Sequence, residues 1–337
     1  MNKRGFTLVE LLAVIIILSL LALLTSTAVT KLVKDAKGDL NTTQIELIKS
    51  AAQTWGADNL TGLPSDGECS YLTLKNLKDY GLIDSNLKDP NTNEKISDDL
   101  KIKISTTKNQ NSGKLITTYE VNPQSVDGCY KQIYNNGDIV YFDVTTGKSC
   151  TNYHEDNSKT GYNGINGTGD QTSCLKFYSF LDSGRKLNLL LDHNTTGTLV
   201  YSQIIDKLLS DTSSWIGTLE PSGYIGYKAR LIDGQEIAKI TGNNTWNELN
   251  QDSYYFFDTN TSVSTSNYNY GWLYDRTNNA CKDYGCYNNS DNSLITGYAT
   301  ASDYCYVYFK GSLNNFSNYS EDVGVRPVIE VLKTNLQ

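Results

Sequence analysis

From Phe6 to Leu24 the chain is apolar except for one residue, Glu10, and two basic residues, Lys3 and Arg4, precede the run. Nineteen such residues match the length that crosses a bilayer core as one helix. Backbone groups in lipid have no water to bond, so a spanning segment of this kind must be helical. Lys3 and Arg4 keep the short N-terminal end in the cytoplasm and place everything after Leu24 outside. An ordinary secretory signal, cut near Thr25-Ser26-Thr27-Ala28, is the competing reading. Glu10 speaks against it, because a carboxylate inside a membrane helix costs roughly 2.5–3.5 kcal/mol and an export signal has no use for it.

Lys3-Arg4-Gly5-Phe6-Thr7-Leu8-Val9-Glu10 resembles the opening of type IV prepilins and pseudopilins. The resemblance implies that a membrane peptidase cuts between Gly5 and Phe6 and methylates the amino group of Phe6. It also gives Glu10 a partner, the freed ammonium group of a neighbouring subunit. A buried carboxylate is tolerable when paired in this way. The implied partners are other pilin subunits, the prepilin peptidase/methylase and an inner assembly platform. The implied location is a single-pass membrane protein first and a cell-surface filament later.

The 37 acidic residues outnumber the 29 basic ones, and no Lys/Arg run stands out, which argues against nucleic acid as the main partner. All seven cysteines follow the apolar run, on the oxidising side, where pairing is expected. Cys69, Cys129, Cys150, Cys174, Cys281 and Cys286 are the disulfide candidates, and Cys305 is read as a buried, inert thiol on a strand. Cys69 with Cys129 would tie the region after the first helix to a sheet. Cys150 and Cys174 flank a Gly/Asn/Ser/Thr-rich linker, and other pairings stay open.

The apolar run is expected to continue as one helix to residue 58, with Val29, Val33, Ala36, Leu40, Leu47 and Ala51 in its stripe and Ile48, Ala52 and Trp55 widening it. From Phe6 to Trp55 that helix would be ~75 Å long. Five regions follow: a leader at 1–5, the helix at 6–58 with its membrane part at 6–24, a globular domain at 59–150, a linker at 151–173 and a second domain at 174–337. In the first domain, a helix or turn is expected over Tyr71–Leu77, with strands over Leu100–Ser105, Leu115–Val121 and Asp138–Val144. The fold class is α+β: a long helix packed on a small antiparallel sheet, as in pilins, followed by a second mixed domain.

In the second domain a strand is expected over Lys186–Asp192, a helix around Ile204 and Leu208, and a strand over Tyr224–Ile232. Asp233–Glu236 forms a capping box for a helix that ends by Gly242. Strands over Tyr304–Phe309 and Val325–Leu332 close the domain. Four fragments carry a second resemblance: Ala229-Arg230-Leu231, Gly271-Trp272-Leu273, Gly297-Tyr298-Ala299-Thr300 and Gly324-Val325-Arg326-Pro327-Val328-Ile329. In that order they resemble domains related to the formylglycine-generating enzyme and the C-type lectin-like fold. This implies irregular loops that display a binding face. Twelve of the 24 tyrosines lie between 250 and 320, so Trp272, Tyr274, Tyr284 and Tyr287 are the candidate ligand-binding residues.

Nothing in the chain marks a catalytic centre. Cys281 and Cys286 have the spacing of an oxidising cysteine pair but not its surrounding motif, and a loop-closing disulfide is the better reading. His154 and His193 are read as linker and turn residues, with no nucleophile elbow in the sequence. Asp98-Asp99 has no Ca²⁺-loop pattern around it. No cofactor and no metal is expected. The reading is a large pilin-like filament subunit with an adhesive second domain that takes a host-surface, glycan or protein ligand. The alternatives are a pseudopilin of a secretion or DNA-uptake machine and a membrane-tethered surface enzyme or binding protein.

Overall fold

The computed structural model describes residues 42–90, 92–151, 173–192, 194–195, 201–221, 225–243, 254–255, 270, 272–273, 297–301, 305–308, 312–315 and 324–337. It divides into two compact units. The first holds residues up to Asp58 with Leu72–Lys103 and Thr118–Gln124, and the second holds Asn59–Tyr71, Ile104–Thr117 and Ser125–Gln337.

The first unit is built on helix α1, residues 42–58. Ile48, Ala51, Ala52 and Trp55 are buried, and their spacing puts them on one face. Trp55 meets Tyr80 edge to face, with ring centroids 6.5 Å apart. Leu47 departs from the expected stripe: it is 49% exposed, as Ile45 also is in large part. Leu47 is one residue before Ile48, about 100° around the helix, so both cannot face the core. The Tyr71–Leu77 stretch divides into strand β1 (Cys69–Thr73) and helix α2 (Leu74–Asp79). A capping box ends the strand and starts the helix: Asn76 N–H donates to Thr73 Oγ1, and Thr73 N–H donates to Asn76 Oδ1 at 2.9 Å.

Strands β2 (Lys101–Lys108) and β3 (Leu115–Val121) match two of the expected strands, and Asn109 N–H donates to Lys114 O across the turn between them. With β1 and β4 (Tyr130–Lys131) they form a sheet of order β3-β2-β1-β4. The sheet is not wholly antiparallel as expected. Strands β1 and β4 run parallel, with Ser70 opposite Tyr130, because the chain makes a wide excursion through β2 and β3 before returning beside β1.

The second unit is organised by a six-stranded sheet of order β6-β5-β7-β8-β14-β9. Its strands are β5 (Ile139–Asp143), β6 (Lys148–Ser149), β7 (Cys174–Ser183), β8 (Lys186–Leu191), β9 (Thr218–Leu219) and β14 (Val328–Leu332). The expected border between 59–150 and 174–337 runs through this sheet, since β5 pairs with β7 from Ile139↔Tyr178 to Asp143↔Cys174. The expected strand over Tyr224–Ile232 is reduced, among its described residues, to a single bridge between Arg230 and Val328. Gly226 adopts φ +83, a turn conformation that breaks an extended run there.

The C-terminal half of strand β8 is buried on both faces, as its Leu189-Leu190-Leu191 run requires. Leu187, Leu189 and Leu191 join a core with Phe142, Phe177, Trp215, Ile329 and Val331. Leu190 points to a second core with Phe180, Ile237, Leu273, Tyr298 and Val328. Helix α3 (Ile204–Thr212) covers the first core with Ile204 and Leu208, while Ile205 stays largely exposed. Helix α4 (Gly234–Ile240) covers the second with Ile237 and Ile240. A four-stranded antiparallel sheet of order β10-β13-β12-β11 completes the unit, from Tyr254–Tyr255, Ser312–Asn315, Cys305–Tyr308 and Tyr298–Ala299.

Among the described residues, two disulfides lie in the second unit, Cys69–Cys129 and Cys150–Cys174. The turn that closes β5 approaches the Trp215–Thr218 segment so tightly that a Cβ on Gly147 would lie 2.7 Å from Gly217 Cα. Only glycine fits at that crossing.

Candidate functional site

The four fragments spread from Ala229 to Ile329 come together around Arg326. Its side chain is buried, and its guanidinium donates to four backbone carbonyls among the described residues. Nε donates to Leu191 O at 2.5 Å, Nη1 to Leu273 O at 3.0 Å, and Nη2 to Trp272 O at 2.8 Å and Asp192 O at 3.3 Å. The cation also stands over the Tyr298 ring, 5.1 Å from its centroid. Tyr298 donates its hydroxyl proton to the same Leu273 carbonyl at 2.8 Å, and burial pushes the Tyr298 phenol pKa up. Planar geometry and five donors suit Arg to gathering several carbonyls at once.

The backbone completes the junction. Gly324 N–H donates to Gly297 O, Ala299 N–H to Gly324 O and Ala301 N–H to Ile232 O. Arg230 and Val328 exchange both backbone bonds. Arg230 then grips Glu236 with two bonds of 2.7 Å, and the Glu236 carboxylate also accepts the Asp233 N–H in the expected capping box.

Arg326 thereby fixes the backbone of Trp272, the one candidate ligand-binding residue among those described. The indole is half-buried. It leans on Tyr178 with centroids 6.0 Å apart, and a Cβ on Gly137 would come within 2.5 Å of its Nε1. Lys176 stands 5.6 Å from the Tyr178 centroid. On the neighbouring strand, Ile139 and Tyr141 point outward opposite Tyr178 and Lys176. The result is a rigid aromatic patch with one cation on the outer face of β5 and β7. Sequence reasoning did not include Tyr141, Lys176 and Tyr178. The alternation Leu175/Phe177 inward and Lys176/Tyr178 outward is the signal that points to them.

The remaining expected site residues divide plainly. Gly5, Phe6 and Glu10 lie outside the described residues, as do His154, His193, Tyr274, Tyr284, Tyr287, Cys281 and Cys286. Cys305 lies on β12. Asp98 accepts from Lys78 at 2.8 Å and pairs with Lys95 at 3.5 Å, and those partners hold its pKa below the ordinary value. Among the described residues, no cluster of His, Cys, Asp and Glu could hold a metal ion, and no helix is long and apolar enough to cross a membrane.

The family model for the prokaryotic N-terminal methylation motif matches residues 1–26. That match suggests a type IV pilin or pseudopilin, a class that is generally structural, membrane-anchored first and assembled at the surface afterwards. Its general partners are pilin subunits and the prepilin peptidase. No curated protein and no solved structure matches the chain.

Proposed function

We propose that the chain is a large minor pilin, a filament subunit whose C-terminal region serves as an adhesive surface. The observation that carries this is the N-terminal methylation motif over residues 1–26. In this reading the peptidase cuts after Gly5, Phe6 becomes the methylated N-terminus, and Glu10 pairs with the amino group of the next subunit. The size of the second unit supports a minor role, because so large a body is awkward to repeat along a shaft. The patch of Trp272, Tyr178, Tyr141 and Ile139 supports adhesion, since rigid aromatics give contact area at low entropic cost.

Mass spectrometry of the mature N-terminus tests the export route. A methylated Phe6 is the expected product, and a chain starting near Ala28 would overturn the reading. Glu10→Ala is expected to leave membrane insertion intact and to abolish incorporation into filaments, measured by membrane fractionation and by sheared-filament yield. Normal incorporation would remove Glu10 from assembly. Immunogold labelling against the second unit separates a tip or shaft subunit from a pseudopilin confined to the membrane.

A further inference from the structure

Beneath the end of β14 lies a charged cluster that the proposed function does not use. Lys333 follows the strand and is 1% exposed. Its Nζ lies 2.6 Å from Asp182 Oδ1 and donates to Gln132 O at 2.6 Å. Asp182 lies near the end of β7, at a register irregularity between Phe180 and Ser183. Leu181, just before it, adopts φ +43, a left-handed conformation that is strained for leucine. Irregularities of this kind turn a side chain away from its normal strand direction. The other carboxylate oxygen, Oδ2, accepts the Tyr134 N–H at 2.9 Å. The Tyr134 ring lies beside the pair, 5.9 Å from Lys333 Nζ, with Lys131 4.8 Å from the same ring and bonded to Asp138 at 2.6 Å.

We propose that Lys333 and Asp182 are a modification site, where the amine and the carboxyl condense into an intramolecular amide that joins the ends of β7 and β14. The geometry supplies each part of the step. The Gln132 carbonyl orients the amine, and Oδ1 at 2.6 Å puts the carboxyl group at the end of its approach. A proton passes from the Lys333 ammonium to the Asp182 carboxylate, giving a neutral amine and a neutral acid. Nζ then bonds to Cγ, and negative charge gathers on Oδ2, where the Tyr134 N–H already donates. The Oδ1 oxygen departs as water with the acid proton and one amine proton. The products are one amide and one water, and no oxidant or further reactant is needed.

Burial favours that proton transfer. It pushes the Asp182 carboxyl up and the Lys333 ammonium down, each against the charge of its partner. A buried ion pair also loses much of its Coulombic gain to desolvation, whereas an amide carries no charge to desolvate. Tyr134, Lys131 and Asp138 face the pair, and burial together with the nearby Asp182 and Asp138 carboxylates raises the Tyr134 phenol.

Peptide mapping of the full-length protein tests the site directly. After complete reduction and digestion, a branched peptide containing Asp182 and Lys333 is expected, lighter by one water than the two linear peptides combined. Linear peptides at both positions would overturn the proposal and leave an ion pair. On reducing denaturing gels the protein should run faster than Lys333→Met and Asp182→Ala, because the cross-link survives reduction. Equal mobility of all three would also overturn it. The wild-type peptide map decides the matter even if both variants fail to fold, and it is independent of how the N-terminus is processed.

Discussion

The two units hold themselves together by different means. In the first, one face of α1 supplies Ile48, Ala51, Ala52 and Trp55, and the ion pairs range from the exposed Lys75–Asp79 to Lys78–Asp98, whose lysine is buried while its carboxylate stays exposed. The Cys69–Cys129 and Cys150–Cys174 disulfides belong to the second unit. That unit also buries two cations, Arg326 and Lys333, and bonds both to backbone carbonyls. A helix needs only an apolar stripe, because its backbone satisfies itself. The segments that meet at Arg326 are mostly irregular, and their carbonyls need partners from elsewhere. Fully satisfied polar networks of this kind rigidify the structure around them. The difference shows where the second unit places its disulfides and buried cations: at strand ends and in the irregular segments beside them.

Removing the Cys69–Cys129 bond is the strongest way to test that contrast. The cysteines are 60 residues apart in sequence, and opening a loop of that size costs about 4 kcal/mol in the chain-entropy account. The double variant Cys69→Ser with Cys129→Ser should therefore lower the denaturant midpoint well below that of the parent. A change under about 1 kcal/mol would show that the covalent bond adds little to what packing already supplies.

Arg326→Leu comes next. It removes the Arg326 donor from the carbonyls of Leu191, Asp192 and Trp272 in a buried site and leaves Leu273 O with the Tyr298 hydroxyl. A loss of about 3 kcal/mol is expected for breaking such a network from one side. Because Arg326 fixes the backbone of Trp272, near-UV circular dichroism should lose its indole bands in parallel. Loss of stability with unchanged bands would separate the cation from the aromatic patch.

Legibility in the sequence follows the same division. Strands β2, β3, β5 and β8 and the capping box of α4 could be read because local pattern and final burial agree there. Strand β7 was not read, although Leu175 and Phe177 alternate with Lys176 and Tyr178, because it follows directly on a glycine-rich stretch that reads as linker. The Tyr224–Ile232 stretch reads as extended from composition, yet among its described residues only Arg230 finds a partner strand. Periodicity also could not choose between Leu47 and Ile48 on α1, and burial did. The charged centres were beyond reach from pattern alone. Arg326 meets Leu191 across 135 residues, and Lys333 meets Gln132 across 201. No local signal encodes a pairing so distant in sequence.

The turn after β5 gives a smaller, pH-dependent test. Burial pushes the Asp143 carboxyl up, but bonds from the Ser173 and Thr145 hydroxyls and the Thr145 and Thr146 N–H groups outweigh it and hold its pKa at about 2. A depressed folded value means that the contribution is complete above the ordinary value of 3.8 and is lost as pH falls through about 2. Amide exchange at Thr145 and Thr146 should therefore accelerate, relative to its intrinsic rate, across that window. Asp143→Asn should remove the pH dependence, and a parent with no transition there would remove the carboxylate from the turn's stability.

The smallest effect belongs to the first unit and sets the baseline for the rest. Lys75 and Asp79 stand one turn apart on α2 with a contact of 2.6 Å, and both side chains are about half exposed. At such exposure water screens most of the attraction, and ordering two long side chains offsets part of what is left. Lys75→Ala should cost no more than about 0.5 kcal/mol, and that cost should shrink further as salt is added. The result bears on the whole comparison. A loss near that of Arg326→Leu would mean that surface charge in the first unit counts as much as buried charge in the second, and the contrast between the units would then rest on the disulfides alone.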